Sequence, residues 1–222
     1  MAVLRSELEN AIKYFPLLNI AETNGELSLI GEIELIHPIE KEIIDTFSVS
    51  IAFPPAYPSC FPKVIETSQK IERIANRHVF VDTNTLCFAV VAEERMKCRN
   101  EINLLWFLNT VLVPRLAEEY RVNNGERYSH EYSHGPKGDL EFYSEKFKTQ
   151  SPVEVIRLLK LILVGGFPKP FEKCICGSDL KFKKCHRMIF EDLKLLGDNF
   201  LSYEIVQLEN FIRLLDQNKR EL

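Results

Sequence analysis

A chain of 222 residues with 45% apolar content is long and apolar enough to bury a sizeable core, which excludes the disordered classes. Its net charge of -4 supplies no global basic surface, so nucleic acid is not an expected partner. Charge enters by Arg5, and no apolar run is long enough for a signal peptide or a membrane span, so a cytoplasmic protein with no membrane partner is expected.

Leu4, Leu8, Ala11, Ile12 and Phe15 recur at helical spacing and stop at Pro16, which predicts an amphipathic first helix. Asn24-Gly25 is a turn signal. Leu27, Leu29, Gly31, Ile33 and Leu35 then alternate with mostly polar neighbours up to His37-Pro38, as a half-buried strand requires. A further strand is expected over Ile43–Phe53. Four prolines between Pro54 and Pro62 forbid a helix and predict a rigid, extended connection to a strand opening at Val64 and Ile65. Polar chain then leads to Cys87, set between Leu86 and Phe88.

The stretch Tyr57-Pro58-Ser59-Cys60-Phe61-Pro62-Lys63-Val64 followed by Cys87 resembles the ubiquitin-conjugating enzymes, which carry Tyr-Pro-x-x-x-Pro-x-Val, then His-Pro-Asn, then a catalytic cysteine. The resemblance covers roughly residues 1–120 and implies a thioester-forming role for Cys87. Asn76-Arg77-His78 stands where the tripeptide would be, so the oxyanion-stabilising asparagine is either moved to Asn76 or replaced by His78. That divergence looks like the bacterial relatives of antiviral signalling islands (CBASS).

An acyl carrier needs only a modestly activated thiol, and free cysteine has a pKa near ~8.5. His78 is the catalytic candidate beside Cys87: it favours the thiolate, donates to an oxyanion, or serves only to pack the loop. Asp82, Glu93 and Glu94 flank the cysteine as candidates to take an amine proton, or as solvated loop carboxylates. Cys60 and Cys98 have weaker claims, and the basic stretch around Cys98 would lower its thiol pKa and make it reactive without making it catalytic.

Ile102, Leu105, Trp106, Leu108, Leu112 and Leu116 predict a long apolar helix over 101–120, kinked near Pro114, with Trp106 in the core. Residues 122–150 are polar and glycine-containing, with Tyr-Ser-His doubled at 128–130 and 132–134, and read as a loop or linker. His130 and His134 stand four apart, but Gly135-Pro136 follows at once, so an exposed loop is the reading. Ser151-Pro152-Val153-Glu154 predicts a capped helix start with a complete capping box.

Cys174, Cys176, Cys185 and His186 fall within thirteen residues, a ligand set that suits one closed tetrahedral zinc. The cluster resembles the SEC-C zinc motif, C-x-C-x8-C-[CH]. All four positions are filled, so the zinc is expected to be structural, with Ser178 capping the short helix that carries Cys185 and His186. The surrounding lysines make the segment locally basic, a solvated face in the first instance and a surface for acidic protein or nucleic acid as the alternative.

The expected fold class is α+β: an antiparallel meander with flanking helices, like that of the conjugating enzymes, and then a small helical zinc knuckle. The expected organisation is a conjugating-enzyme-like domain at 1–121, a loop or linker at 122–150, and a helical zinc region at 151–222. The resemblance implies a transferase that carries a protein C-terminus on Cys87 and passes it to an amine. The partner it implies is the C-terminus of a cyclic-nucleotide-synthesising nucleotidyltransferase in antiviral defence, with an adenylating partner for activation, since no phosphate-binding glycine loop is present. An inactive binding module of the same fold and a zinc-containing adaptor are the alternatives.

Overall fold

The structure is a computed structural model and describes residues 2–129 and 131–220. The chain divides into two compact units, Met1–Ala89 with Lys97–Glu131, and Val90–Met96 with Tyr132–Leu222.

The first unit is mixed α+β. Helix α1 (Ala2–Tyr14) precedes strands β1 (Leu18–Thr23), β2 (Glu26–Ile36), β3 (Ile43–Ala52) and β4 (Lys63–Glu66). These four form one antiparallel sheet in chain order. The alternation read from the sequence sets its faces: Leu27, Leu29, Ile33 and Leu35 are buried and pack with Leu8, Ala11, Phe47, Val49 and Ile51. Strand β1 carries no clear alternation and is not among the expected elements. Its pairing of Leu18 with Gly31 explains the glycine, because a Cβ there would overlap the Leu17 carbonyl oxygen.

The long helix expected over 101–120 forms as α3 (Leu104–Phe107), a π turn at Leu108–Leu112 and α4 (Val113–Asn123). The wide turn lies next to Pro114, which has no N–H to continue a regular ladder. Leu104, Phe107, Leu108, Leu112 and Leu116 complete the core, with Trp106 packed at its margin.

The second unit is helical: α5 (Pro136–Phe147), α6 (Pro152–Leu163), α7 (Arg187–Lys194) and α8 (Asp198–Arg220), joined by the Val91–Met96 part of α2 (Val91–Cys98). Helix α5 corrects the expected loop at 122–150. Its apolar residues Phe142, Tyr143 and Phe147 are fully buried, but Lys137, Gly138 and Asp139 interrupt its pattern and hid it. Gly138 is required there, since a Cβ would overlap the Ser133 carbonyl oxygen. Helix α6 begins at Ser151 as expected, with Glu154 N–H donating to Ser151 Oγ at 3.3 Å. The capping box is only half made: Glu154 pairs with Arg157, and Ser151 N–H donates instead to Thr149 Oγ1 at 3.2 Å. Among the described residues, no helix is long and apolar enough to cross a membrane.

Candidate functional site

Cys87 ends a small hairpin. Strands β5 (Val79–Phe80) and β6 (Thr85–Leu86) pair Val79 with Leu86, and Cys87 N–H adds one more rung by donating to His78 O at 2.6 Å. The register therefore sets His78 directly opposite Cys87. His78 adopts the left-handed conformation (φ 51°) at the end of a 3-10 turn, Ala75–Arg77, with its own N–H donating to Ala75 O at 2.7 Å. The Cys87 thiol is half-buried and faces Ala89 O at 3.8 Å.

Behind this hairpin lies a charged cluster that no local signal announced. Glu119 on α4 is fully buried and pairs with both Arg77 and Arg115. Arg77 Nε donates to Glu119 Oε2 at 3.0 Å and to Tyr128 OH at 3.1 Å. Tyr128 OH donates to Glu119 Oε1 at 2.5 Å, and Arg115 donates to Arg77 O at 2.8 Å. Burial first, and then the Glu119 carboxylate, push the Tyr128 phenol up, so it remains a donor. The segment after α4 also supplies Glu131, whose Oε2 lies 2.8 Å from His78 Nε2. Both Tyr128 and Glu131 come from chain expected to be a loop, and each meets its partner more than 50 residues away except for the Tyr128–Glu119 bond.

The other thiols and carboxylates are placed as follows. Cys98 is fully buried in the first core, which removes the surface reactivity expected from its basic neighbours. Cys60 is half-buried in the proline-rich crossing, and Asn76 is exposed in the 3-10 turn. Asp82 is exposed in the turn between β5 and β6, whereas Glu93 and Glu94 stand in the first turn of α2, in the second unit. Of the paired histidines, His130 lies outside the described residues, and His134 belongs to no metal-ligand cluster among them.

In the second unit the four expected ligands converge. An isolated bridge between Lys173 and Lys181, with Cys174 N–H donating to Leu180 O at 2.8 Å, folds the knuckle back on itself. Gly177 takes the left-handed turn (φ 78°) after Cys176. A 3-10 turn at Phe182–Lys184 and the start of α7 then present Cys185 and His186. His186 Nδ1 lies 3.2 Å from both Cys174 Sγ and Cys185 Sγ, and Cys176 Sγ lies 3.6 Å from Cys185 Sγ. All four donor atoms fall within 4.8 Å of one another.

Those spacings suit a single metal ion. Zinc with Zn–S near ~2.3 Å and Zn–N near ~2.0 Å sets its tetrahedral ligands roughly 3.5–3.8 Å apart. Burial lowers the His186 pKa and keeps the ring neutral, the form that ligates. The backbone of Phe147 and Lys146 acts in the opposite sense on the ring, which also packs edge-on to Phe147 and tilted against Phe190. Burial also pushes the Cys174 thiol up to about 11, a cost to the thiolate that a cation at the centre reverses. At Cys176 burial acts in the same sense, but the Ser178 hydroxyl and N–H together with the Cys174 and Cys185 thiols outweigh it and leave the thiol lowered. Ser178 thus serves the sulfurs, 3.1 Å from Cys176 Sγ and 3.5 Å from Cys185 Sγ, rather than capping the following turn as expected.

Comparison with protein-family models matches residues 172–187 to the SEC-C motif, the segment that holds all four ligands. No curated protein and no solved structure matches the chain. What this establishes is a SEC-C motif whose Cys174, Cys176, Cys185 and His186 form a cluster able to bind a metal ion.

Proposed function

We propose that the first unit is a cysteine acyl carrier of the ubiquitin-conjugating kind. The observation that supports this reading most is the rung joining Cys87 to His78, at the open end of a hairpin that follows a helix, a four-stranded meander and a proline-rich crossing. In this reading Cys87 thiolate attacks the activated C-terminal carboxyl of a partner protein and expels its activating group. The resulting thioester is attacked by an amine, which loses a proton and releases the thiol. Activation falls to a separate adenylating partner, and the carried protein is a cyclic-nucleotide-synthesising nucleotidyltransferase of a cytoplasmic antiviral system. In the second unit the bound ion is zinc, and its role is structural, because four protein donors leave no position for substrate or water.

The test is incubation with an adenylated carrier protein followed by intact-mass measurement. The expected adduct is cleaved by hydroxylamine, is absent in Cys87→Ala, and becomes a hydroxylamine-resistant ester in Cys87→Ser. Full conjugation by Cys87→Ala would end this reading. Absence of any adduct on the wild-type protein would instead favour the zinc-containing adaptor, a reading supported by the location of the SEC-C match in the second unit.

A further inference from the structure

We propose that Glu131 and Tyr128 are positioning residues for His78 and act on the Cys87 thiol through it. This rests on reading Cys87 as the acyl carrier, and it adds two residues that the sequence placed in a linker.

The backbone of His78 is committed in both directions: its N–H to Ala75 O and its carbonyl to Cys87 N–H. The remaining freedom lies in the side chain, and two contacts remove it. Glu131 Oε2 lies 2.8 Å from Nε2, and the Tyr128 ring meets the imidazole edge-on with centroids 5.5 Å apart. Tyr128 is itself held through its hydroxyl by Glu119 and Arg77. The imidazole side chain is only 15% exposed, so this is an ordered ring rather than a solvated one.

Orientation decides the tautomer. A carboxylate at Nε2 takes the N–H of the neutral ring and leaves Nδ1 as its basic nitrogen. The Cys87–His78 rung holds the two backbones within hydrogen-bond distance, and in this proposal the thiol and the imidazole that they carry exchange a proton. Thiolate formation then breaks S–H at Cys87 and forms N–H at His78 Nδ1. The imidazolium so formed keeps its other N–H on Glu131, whose charge favours it.

The test follows iodoacetamide alkylation of the Cys87-containing peptide by mass spectrometry across pH 5–10 in the full-length protein. It needs no carrier protein. His78→Ala should raise the pH midpoint and slow alkylation at pH 7 by about three- to tenfold. Glu131→Gln should raise the midpoint in the same direction, and Tyr128→Phe less so. The sign is decisive: a bystander carboxylate opposes the thiolate directly, so its neutralisation would lower the midpoint. A midpoint that falls or stays fixed in Glu131→Gln overturns the proposal. So does a Glu131→Gln shift that persists in the His78→Ala background. Glu131 is half exposed, so its substitution leaves the fold intact even where His78→Ala unfolds the unit. A normal shift without any thioester would refute the acyl-carrier reading and leave the positioning role standing, whereas a thioester without the shift would do the reverse.

Discussion

Each unit joins a histidine to a cysteine, and the two do so by opposite means. In the second unit three thiols and one imidazole converge from thirteen consecutive residues, with Nδ1 of His186 3.2 Å from two of the sulfurs. Every donor there faces the others, in a closed cluster able to bind a metal ion. In the first unit Cys87 and His78 are joined by a backbone rung, and the His78 ring is held by a carboxylate 53 residues further on. A closed set of donors suits a structural role, whereas in the proposed function the thiol outside such a set is the reactive one.

The strongest way to break this comparison is to remove the ion. Metal analysis should find about one zinc per chain. Structural zinc in small knuckles is worth about 10 kcal/mol of apparent folding free energy, so chelation or Cys176→Ser should unfold the knuckle and expose Phe182 and Phe190, which pack edge-to-face behind it. Hydrogen exchange should then rise across 172–194 while the β2–β3 amides of the first unit stay protected. Unchanged exchange in metal-free protein would show that the aromatic packing suffices and that the cluster is not a structural centre.

What was legible in the sequence follows the same division. The knuckle could be read because ligand type and spacing are local: Cys174 to His186 are neighbours in chain and in space. The meander could be read where one face is buried, as in β2, but not in β1, whose residues lie mostly at intermediate exposure or beyond. The cluster around His78 was invisible because Arg77 meets Glu119 at a separation of 42 residues and His78 meets Glu131 at 53. Charged residues in chain expected to be a loop carry no pattern that distinguishes a buried partner from a solvated one. The doubled Tyr-Ser-His was a signal of another kind: Tyr128 bonds Glu119 and Tyr132 bonds Glu145, so the tyrosines tie their segment down.

Glu119 offers the next largest effect and probes the first unit. Its carboxylate is fully buried between Arg77 and Arg115, so Glu119→Ala leaves two guanidinium groups without their charge partner. Breaking a buried pair from one side costs about 3–5 kcal/mol. Urea unfolding should show a loss of that size, and Glu119→Gln a smaller one. If charge fixes the loop that carries His78, both variants should also alter Cys87 alkylation before they unfold the unit. A loss below about 1 kcal/mol would assign the network to the surface class.

The smallest effect asks what holds the second unit together apart from its metal. Glu204 on α8 is buried, and Tyr143 OH on α5 donates to its Oε2 at 3.0 Å. Burial, and then the nearby Asp139 carboxylate, push its pKa from the ordinary 4.5 up to about 7, while Tyr143 and Arg95 pull the other way. Asp139, on α5, is raised by burial as well. The folded state therefore retains a proton between about pH 4.5 and 7 that the unfolded chain has released. Stability must fall as pH rises through that window and level off above it, by on the order of 1–3 kcal/mol. Glu204→Gln keeps the bond to Tyr143 without the ionisation and should flatten the dependence. The measurement is the melting temperature from pH 5 to 8, with zinc content read at each pH because protonation of the ligands weakens metal binding as pH falls. A wild-type slope that survives in Glu204→Gln would move the titration elsewhere in the unit. A slope that disappears would show that α5 and α8 are joined by a proton-dependent contact independent of the metal.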